Sequence, residues 1–334
     1  MSILYLETGS TDPCVNLAME EYVLTHRLEG DWLMLWQNAN TVVIGLNQNA
    51  AEEIDRDYVE KNHVTVVRRT TGGGAVYHDL GNLNYSFITD LGKPGELSIQ
   101  RFTEPVCRAL KSMGLDAQAS GRNDILIDGK KVSGVAQRIY KNRVLHHGTL
   151  LFDSDLSVVA AALKPSPVKF SSKSTKSVRS RVTNIRSLLP EDMSMEQFWQ
   201  RLMTELSGED IRQVSLTEEE LQQVYRQAEE KYRSWDWTYG RSPQYSIANR
   251  RRFDGGTVEL GLAVKEGRIQ SVSFLGDFMA TEPNTPLEEA LVGLPFEKEA
   301  VAGLLETMDL GRMFGAITAE NLLELMFPEQ EGEA

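Results

Sequence analysis

The sequence predicts an α+β protein: a mixed, largely antiparallel sheet with flanking helices makes a large first domain, and a small α/β unit follows it. Three observations predict this. Short apolar runs bounded by turn formers fall in two groups before residue 152, as in a meandering sheet. The pair Asp128-Gly129 between two of these runs is a strong hairpin signal, which makes the flanking strands antiparallel neighbours. Beyond a charged helical stretch over 192–233, and an aromatic, turn-rich segment from Trp235 to Pro243, a new hairpin and further helices follow. They are enough chain to bury a core of their own. At 334 residues the chain exceeds the usual single-domain size, and the expected division is 1–246 and 247–334.

Along the chain, Asp12 can cap a helix with Pro13 in its first turn, and the residues from Val15 to Leu24 continue it. Strands are expected over 32–36, 41–46, 64–67 and 83–88, then over 124–127, 131–135 and 144–152. Helices are expected over 195–206 and 218–232. In the tail, strands over 257–264 and 269–274 flank Glu266-Gly267, and helices are expected over 287–292, 298–308 and 319–326.

A net charge of −13 argues against a general nucleic-acid binder, which needs a cationic surface to displace counterions. The start lacks a basic segment followed by an apolar one, and no stretch approaches the length of a membrane span, so the expected location is the cytoplasm, with no membrane partner. Cys14 and Cys107 are far apart and outside metal-type spacing, and read as buried small hydrophobes.

Four segments could carry chemistry. In Arg68-Arg69-Thr70-Thr71-Gly72-Gly73-Gly74-Ala75-Val76-Tyr77-His78-Asp79, successive glycines let a backbone approach a ligand and aim N–H groups at phosphate, while the arginines supply bidentate donors. A plain tight turn is the bland alternative. No Gly-Lys-Ser/Thr follows, and Tyr77 stands where a dinucleotide motif needs its last glycine, so Walker and Rossmann readings are disfavoured. In the second, 121–134, neighbouring strand residues point to opposite faces, so only one of Lys130 and Lys131 can serve a pocket. Periodicity does not choose between them. The third, Lys164 to Arg186, contains no acidic residue and reads as a solvated loop, a mobile cover for an anion, or a docking surface for an acidic partner. In the fourth, adjacent His146 and His147 point apart, which suits one pocket histidine and one core histidine better than zinc. His78 and His26 read as structural.

Together these stretches resemble the lipoate-protein ligase family, which shares its catalytic fold with biotin ligases and octanoyltransferases. The matching segments are Arg68 to Asn82, Arg122-Asn123-Asp124, Lys131-Val132-Ser133-Gly134, His147-Gly148-Thr149-Leu150 and Ser180 to Asn184, in the family's order. Arg252-Phe253 and Leu275-Gly276-Asp277-Phe278 resemble its accessory domain, so the likeness spans nearly the whole chain.

What the resemblance implies is specific. Lys131 matches the lysine that contacts the lipoyl carboxylate and the α-phosphate, with Lys130 its surface neighbour. Arg69, Gly74, Ala75, Val76 and Tyr77 match adenylate-binding residues, and Arg68 to Gly73, including Gly72, match the loop over the lipoyl tail. Asn123 and Asp124 fall where phosphate or Mg²⁺ is contacted, Ser133 and Gly134 lie within the lysine motif, and His147 and Thr149 resemble residues beside the acyl group. The basic run matches an adenylate-capping segment. The implied substrates are ATP, with Mg²⁺, and lipoate; the implied partners are lipoyl carrier domains, of 2-oxoacid dehydrogenase E2 subunits and the glycine cleavage H protein. Lipoate would attack MgATP to give lipoyl-AMP and pyrophosphate, and a carrier lysine would then expel AMP.

Three rivals remain on the residues. A carrier-to-carrier octanoyl or lipoyl transferase would need a cysteine nucleophile, and none follows Cys107. A biotin ligase would carry a different Gly-rich loop and lack this tail. A non-catalytic lipoyl-binding protein would not need Lys131.

Overall fold

A computed structural model describes residues 3–48, 50–92, 98–120, 123–163, 182–208, 210–240, 247–265 and 267–328. Arg122, the basic run over 164–181, the match at Ser180 and Arg181, the linker over 241–246 and Glu266 lie outside the described residues.

The strands are β1 Ile3–Glu7, β2 Asp31–Trp36, β3 Thr41–Ile44, β4 Thr65–Arg68, β5 Val76–His78, β6 Asn82–Asp90 and β7 Ala117–Ser120. They continue as β8 Asp124–Ile127, β9 Lys130–Tyr140, β10 Arg143–Leu151, β11 Ile211–Gln213, β12 Ile247–Phe253, β13 Gly256–Lys265 and β14 Arg268–Gly276. Eight of them form one sheet in the order β11-β1-β2-β6-β10-β9-β8-β7. From β2 to β7 every pairing is antiparallel, while β1 pairs in parallel with β2 and β11. The parallel step needs a crossover, supplied by the helix Pro13–His26, whose first turn is capped by Asp12 through Cys14 N–H at 2.9 Å. A second sheet, β4-β3-β5, carries the Gly-rich loop between β4 and β5, and the tail forms a third, β12-β13-β14.

Both faces of the large sheet are covered. Leu33 and Leu35 on β2 pack with Tyr85, Val106 and Phe198 on one side, against the helices Ile99–Ser112 and Met195–Ser207. Trp32, Met34 and Trp36 alternate to the other side, with Leu17, Val23 and Val224. A sheet buried on both faces reads as continuous apolar runs, which is how these strands appear in the sequence.

The stretch 218–232 is an α-helix only over Glu218–Gln227 and ends in a π-turn over Ala228–Tyr232. Adjacent Lys231 and Tyr232 thereby both reach buried Glu21, at 2.7 and 2.8 Å, alongside Arg138 at 2.7 Å. Desolvation pushes the Glu21 carboxyl up, but the charges and hydrogen bonds of Lys231 and Arg138 outweigh it and hold the group below its usual range.

In the tail the three strands and the helices Thr285–Leu291, Lys298–Leu305, Leu310–Phe314 and Ala319–Met326 enclose a separate core around Phe274, Phe278 and Phe314. The segment after β14 crosses to the first domain. Phe278 accepts from Gly73 N–H at 3.1 Å, and Thr281 accepts from Ile139 N–H at 2.7 Å.

Candidate active site

A bulge decides which lysine faces the site. Ile125 pairs with Ser133 but Leu126 pairs with Lys131, so Val132 is an extra residue on β9 and the alternation resets there. Lys131 thus shares a face with Gly134: its Nζ lies 3.1 Å from where a Cβ on Gly134 would stand. Gly134 N–H donates to Thr149 Oγ1 at 3.3 Å, Thr149 pairs with Asn84 on β6, and Asn84 pairs with Trp36 on β2. One face of four adjacent strands therefore makes the floor of a single pocket.

The Gly-rich loop forms the opposite wall, and its glycines do different work. Gly72 is packed tightly: a Cβ there would lie 2.6 Å from Ala280 N and 2.9 Å from Phe278 O. Gly73 takes a left-handed φ of 90°. Gly74 meets nothing within 4 Å and borders the pocket. Close approach at Gly72 is thus to the protein's own tail, whereas Gly73 and Gly74 face the cavity.

The two arginines separate likewise. Arg68 is 1% exposed and turned away from the pocket. Its guanidinium donates to the carbonyls of Trp237, Gly45, Leu46, Gln48 and Thr238, at 2.6 to 2.9 Å. These donors tie Arg68 to the scaffold outside the pocket. Arg69 borders the pocket and curls back on its loop, donating to Gly72 O at 2.7 Å, Gly74 O at 2.9 Å and Thr71 Oγ1 at 3.0 Å. Desolvation lowers it to about 10, partly offset by Glu20, so it stays cationic at neutral pH.

A buried polar chain ties this loop to the floor. The Glu20 carboxylate can only accept, so His147 Nδ1–H donates to it at 2.9 Å, and the other ring nitrogen, Nε2, meets Thr71 Oγ1 at 2.8 Å. Ser86 also donates to Glu20, at 2.6 Å, and Trp36 Nε1–H to Ser86 at 2.9 Å. His146 points to the other face and stacks on Phe102 with centroids 4.8 Å apart.

Of the residues singled out in the sequence, Lys131, Arg69, Gly73, Gly74, Ala75, Val76, Asn123, Gly134, His147 and Thr149 border this pocket. Arg68, Gly72, Tyr77 and Ser133 do not; Tyr77 donates its hydroxyl to Asn40 Oδ1 at 3.0 Å, and Ser133 is buried behind the floor. Asp124 is joined to the site by an ion pair to Lys131 Nζ at 2.6 Å. Beside Val76 and His78, the apolar end is built by Leu17, Trp36 and Val43, which the sequence did not assign to the site. Only Trp36, an aromatic at a strand end, carried a signal. Among the described residues no group of three or more His, Cys, Asp or Glu side chains could hold a metal ion alone.

The chemistry available is a cation beside a carboxylate, backbone donors and an arginine at one end, and a desolvated slot at the other. That suits an acid with an apolar tail whose carboxylate is activated by a phosphate ester. The family model for the lipoyl protein ligase A/B catalytic domain matches residues 12–207, and that for the bacterial lipoate protein ligase C-terminus matches 242–326. The chain is 42% identical to lipoate-protein ligase LplJ of Bacillus subtilis over 321 residues, 95% of this chain and 97% of that one. It is also 42% identical to lipoate-protein ligase 1 of Staphylococcus aureus over 318 residues, with the same coverage. Its fold is that of P. falciparum LipL1 in complex with lipoate, at a TM-score of 0.78, 24% identity and 92% and 95% of the two chains. The bipartite ligase of Thermoplasma acidophilum, described with its E2 lipoyl domain, matches at 0.64 and 32% identity over 74% of this chain and 100% of that one. Lipoate-protein ligase A bound with ATP matches at 0.60 and 30% identity over 72% and 98%.

Proposed function

The chain belongs to the lipoate-protein ligase family, and from that premise we propose that it activates lipoate with ATP and transfers the lipoyl group to a lysine of a carrier domain. The observation that carries this reading is the position of Lys131: a cation at the polar end of a pocket whose far end is apolar, under a Gly-rich wall that faces it with Gly73 and Gly74.

Each group has work suited to its place. Lys131 stabilises the negative charge of the lipoyl carboxylate and the α-phosphate as they join. Arg69 and the backbone of Gly73 to Val76 hold the adenylate, with Asn123, Gly134 and Thr149 bordering the same region. The Glu20–His147–Thr71 chain fixes the loop against the floor, so the acyl chain meets a preformed slot. The lipoyl tail lies across the strands toward Trp36. Asp124 is a single carboxylate beside Lys131, which fits Mg²⁺ in its usual mode of one or two protein carboxylates with substrate phosphates. The metal would neutralise the leaving pyrophosphate.

No protein nucleophile is needed. Cys14 and Cys107 are both buried and do not border the pocket, and burial pushes the Cys14 thiol up to about 11, which disfavours the transferase alternative. The carriers are E2 lipoyl domains and the glycine cleavage H protein, and the setting is the cytoplasm. No helix among the described residues is long and apolar enough to cross a membrane. The division into a catalytic unit, 1–246, and an accessory unit, 247–334, belongs to the same proposal.

The test is Lys131→Ala. The side chain is one-third exposed and its one ion pair is of the surface kind, worth under about 1 kcal/mol, so the fold should persist while lipoate-dependent pyrophosphate release is lost. Normal release from the variant would remove Lys131 from the mechanism.

A further inference from the structure

Asn123 joins the pocket to a second cleft, which it lines together with Ser98, Gln100, Thr103, Ala119 and Asp124. Asp124 pairs with Lys131 Nζ at 2.6 Å, so this cleft opens beside the cation of the site. At Ala119 it meets a third cleft, between β7 and the helix Ile99–Ser112, bordered by Glu104, Arg108 and Lys111. Through these shared residues a groove runs from the polar end of the pocket to the edge of the large sheet, where β7 is the last strand.

The helix wall of that groove is cationic. Arg101, Arg108 and Lys111 are exposed at helical spacing along it, with Glu104 the acid among them. Arg186 and Arg312, also at the surface, are each held by two carboxylates, whereas Arg101, Arg108 and Lys111 form no ion pair among the described residues. The helix dipole accounts for Lys111 in the last turn but not for Arg101 in the first, where a cation is disfavoured. In a chain of net charge −13, a row of unpaired cations beside a groove is a local reversal that the fold itself does not require.

We propose that this groove is where the carrier domain docks for transfer: an acidic face of the carrier lies along Arg101, Arg108 and Lys111, and its acceptor lysine enters past Ser98 and Asn123 toward Lys131. The carrier is the macromolecule that has to send a side chain into the pocket, and this cationic groove leads to the pocket's polar end. Charges at the rim of such an interface speed encounter with a partner of opposite sign and fix its register more than they add affinity. The inference rests on the ligase reading above and adds the surface that receives the carrier and the charge the carrier brings to it.

The experiment compares the wild type with Arg108→Glu/Lys111→Glu and with a control, Arg212→Glu/Arg226→Glu. The control changes the charge equally, on β11 at the opposite edge of the sheet and on the helix Glu218–Gln227. Each protein is given MgATP, lipoate and one of two acceptors: an isolated lipoyl domain, or hydroxylamine, a small nucleophile that needs no docking. Arg108 and Lys111 are exposed and outside the pocket, so the groove variant should release pyrophosphate and form the hydroxamate at the wild-type rate. Its kcat/KM for the lipoyl domain should fall by about 3- to 10-fold at low salt, as expected for two reversed rim charges, and the deficit should shrink at about 0.5 M salt. The control should match the wild type with both acceptors. An unchanged kcat/KM for the lipoyl domain, or the same loss in the control, would overturn the proposal and leave the ligase reading intact. An equal loss with hydroxylamine would also overturn it, since the effect would then lie in activation. Absence of pyrophosphate from the wild type would remove the ligase reading itself, and this inference with it.

Discussion

Arg68→Lys keeps the charge and much of the length of the side chain but removes the planar fork. In the fold that fork feeds five carbonyls: those of Gly45, Leu46 and Gln48 before the loop, and those of Trp237 and Thr238 from a segment some 170 residues later in sequence. A lysine presents three donors from one point, so at least two of the five lose their partner. At about 1.5–3 kcal/mol for each hydrogen bond from a charged donor, the cost is roughly 3–6 kcal/mol. Each kcal/mol corresponds to about 2–4 °C in chains of 150–250 residues, so Tm should fall by at least about 6 °C. The assay is thermal or urea unfolding followed by tryptophan fluorescence, which reports on Trp237, together with the KM values for lipoate and ATP at a temperature where the variant is folded. A Tm within about 1 °C of wild type combined with a raised KM would refute the reasoning and return Arg68 to the ligand.

Two further predictions use the same geometry. Gly72→Ala should lower Tm, because its Cβ would lie 2.6 Å from Ala280 N and main chain must shift, whereas Gly74→Ala meets nothing within 4 Å and should leave Tm unchanged while altering KM; equal Tm values for the two variants would contradict the division of roles within the loop. His78 and His146 are buried, each lowered to about 3, while the unfolded chain titrates near 6.5; the unfolded state therefore binds more protons between those values, and stability falls as pH drops through that window. Denaturant unfolding at about pH 7.5 and 5.5 should differ by roughly 2–3 kcal/mol, and a flat profile would show that the imidazoles are not held neutral.

What was legible in the sequence was whatever local chemistry settles. Asp128 and Gly129 take positive φ values of 51° and 73°, the conformation that their residue types announce, and the hairpin of β8 and β9 follows. Asp12 with Pro13 marks the first helix for the same reason. The choice between Lys130 and Lys131 was legible through the family resemblance but not through strand alternation, because it depends on a bulge at Val132 that alternation alone does not reveal. The parallel pairing of β1 with β2 follows from how the intervening helix packs, which no local signal encodes. The helix Ile99–Ser112 contains Pro105, a residue that argues against a helix interior. Glu20 gave no sign of its contact with His147, which lies 127 residues away. Motif residues could be named from the sequence, whereas the apolar end of the pocket and the groups that orient the motif exist only once the strands are in register.

The central claim is activation of lipoate followed by transfer, and the most direct measurement is the intact mass of an isolated lipoyl carrier domain after incubation with the protein, MgATP and lipoate, with pyrophosphate followed in parallel. The account predicts lipoate-dependent pyrophosphate and a carrier heavier by one lipoyl group on its acceptor lysine, both absent without ATP. A carrier modified without pyrophosphate release, by exchange from another acylated carrier, would contradict it.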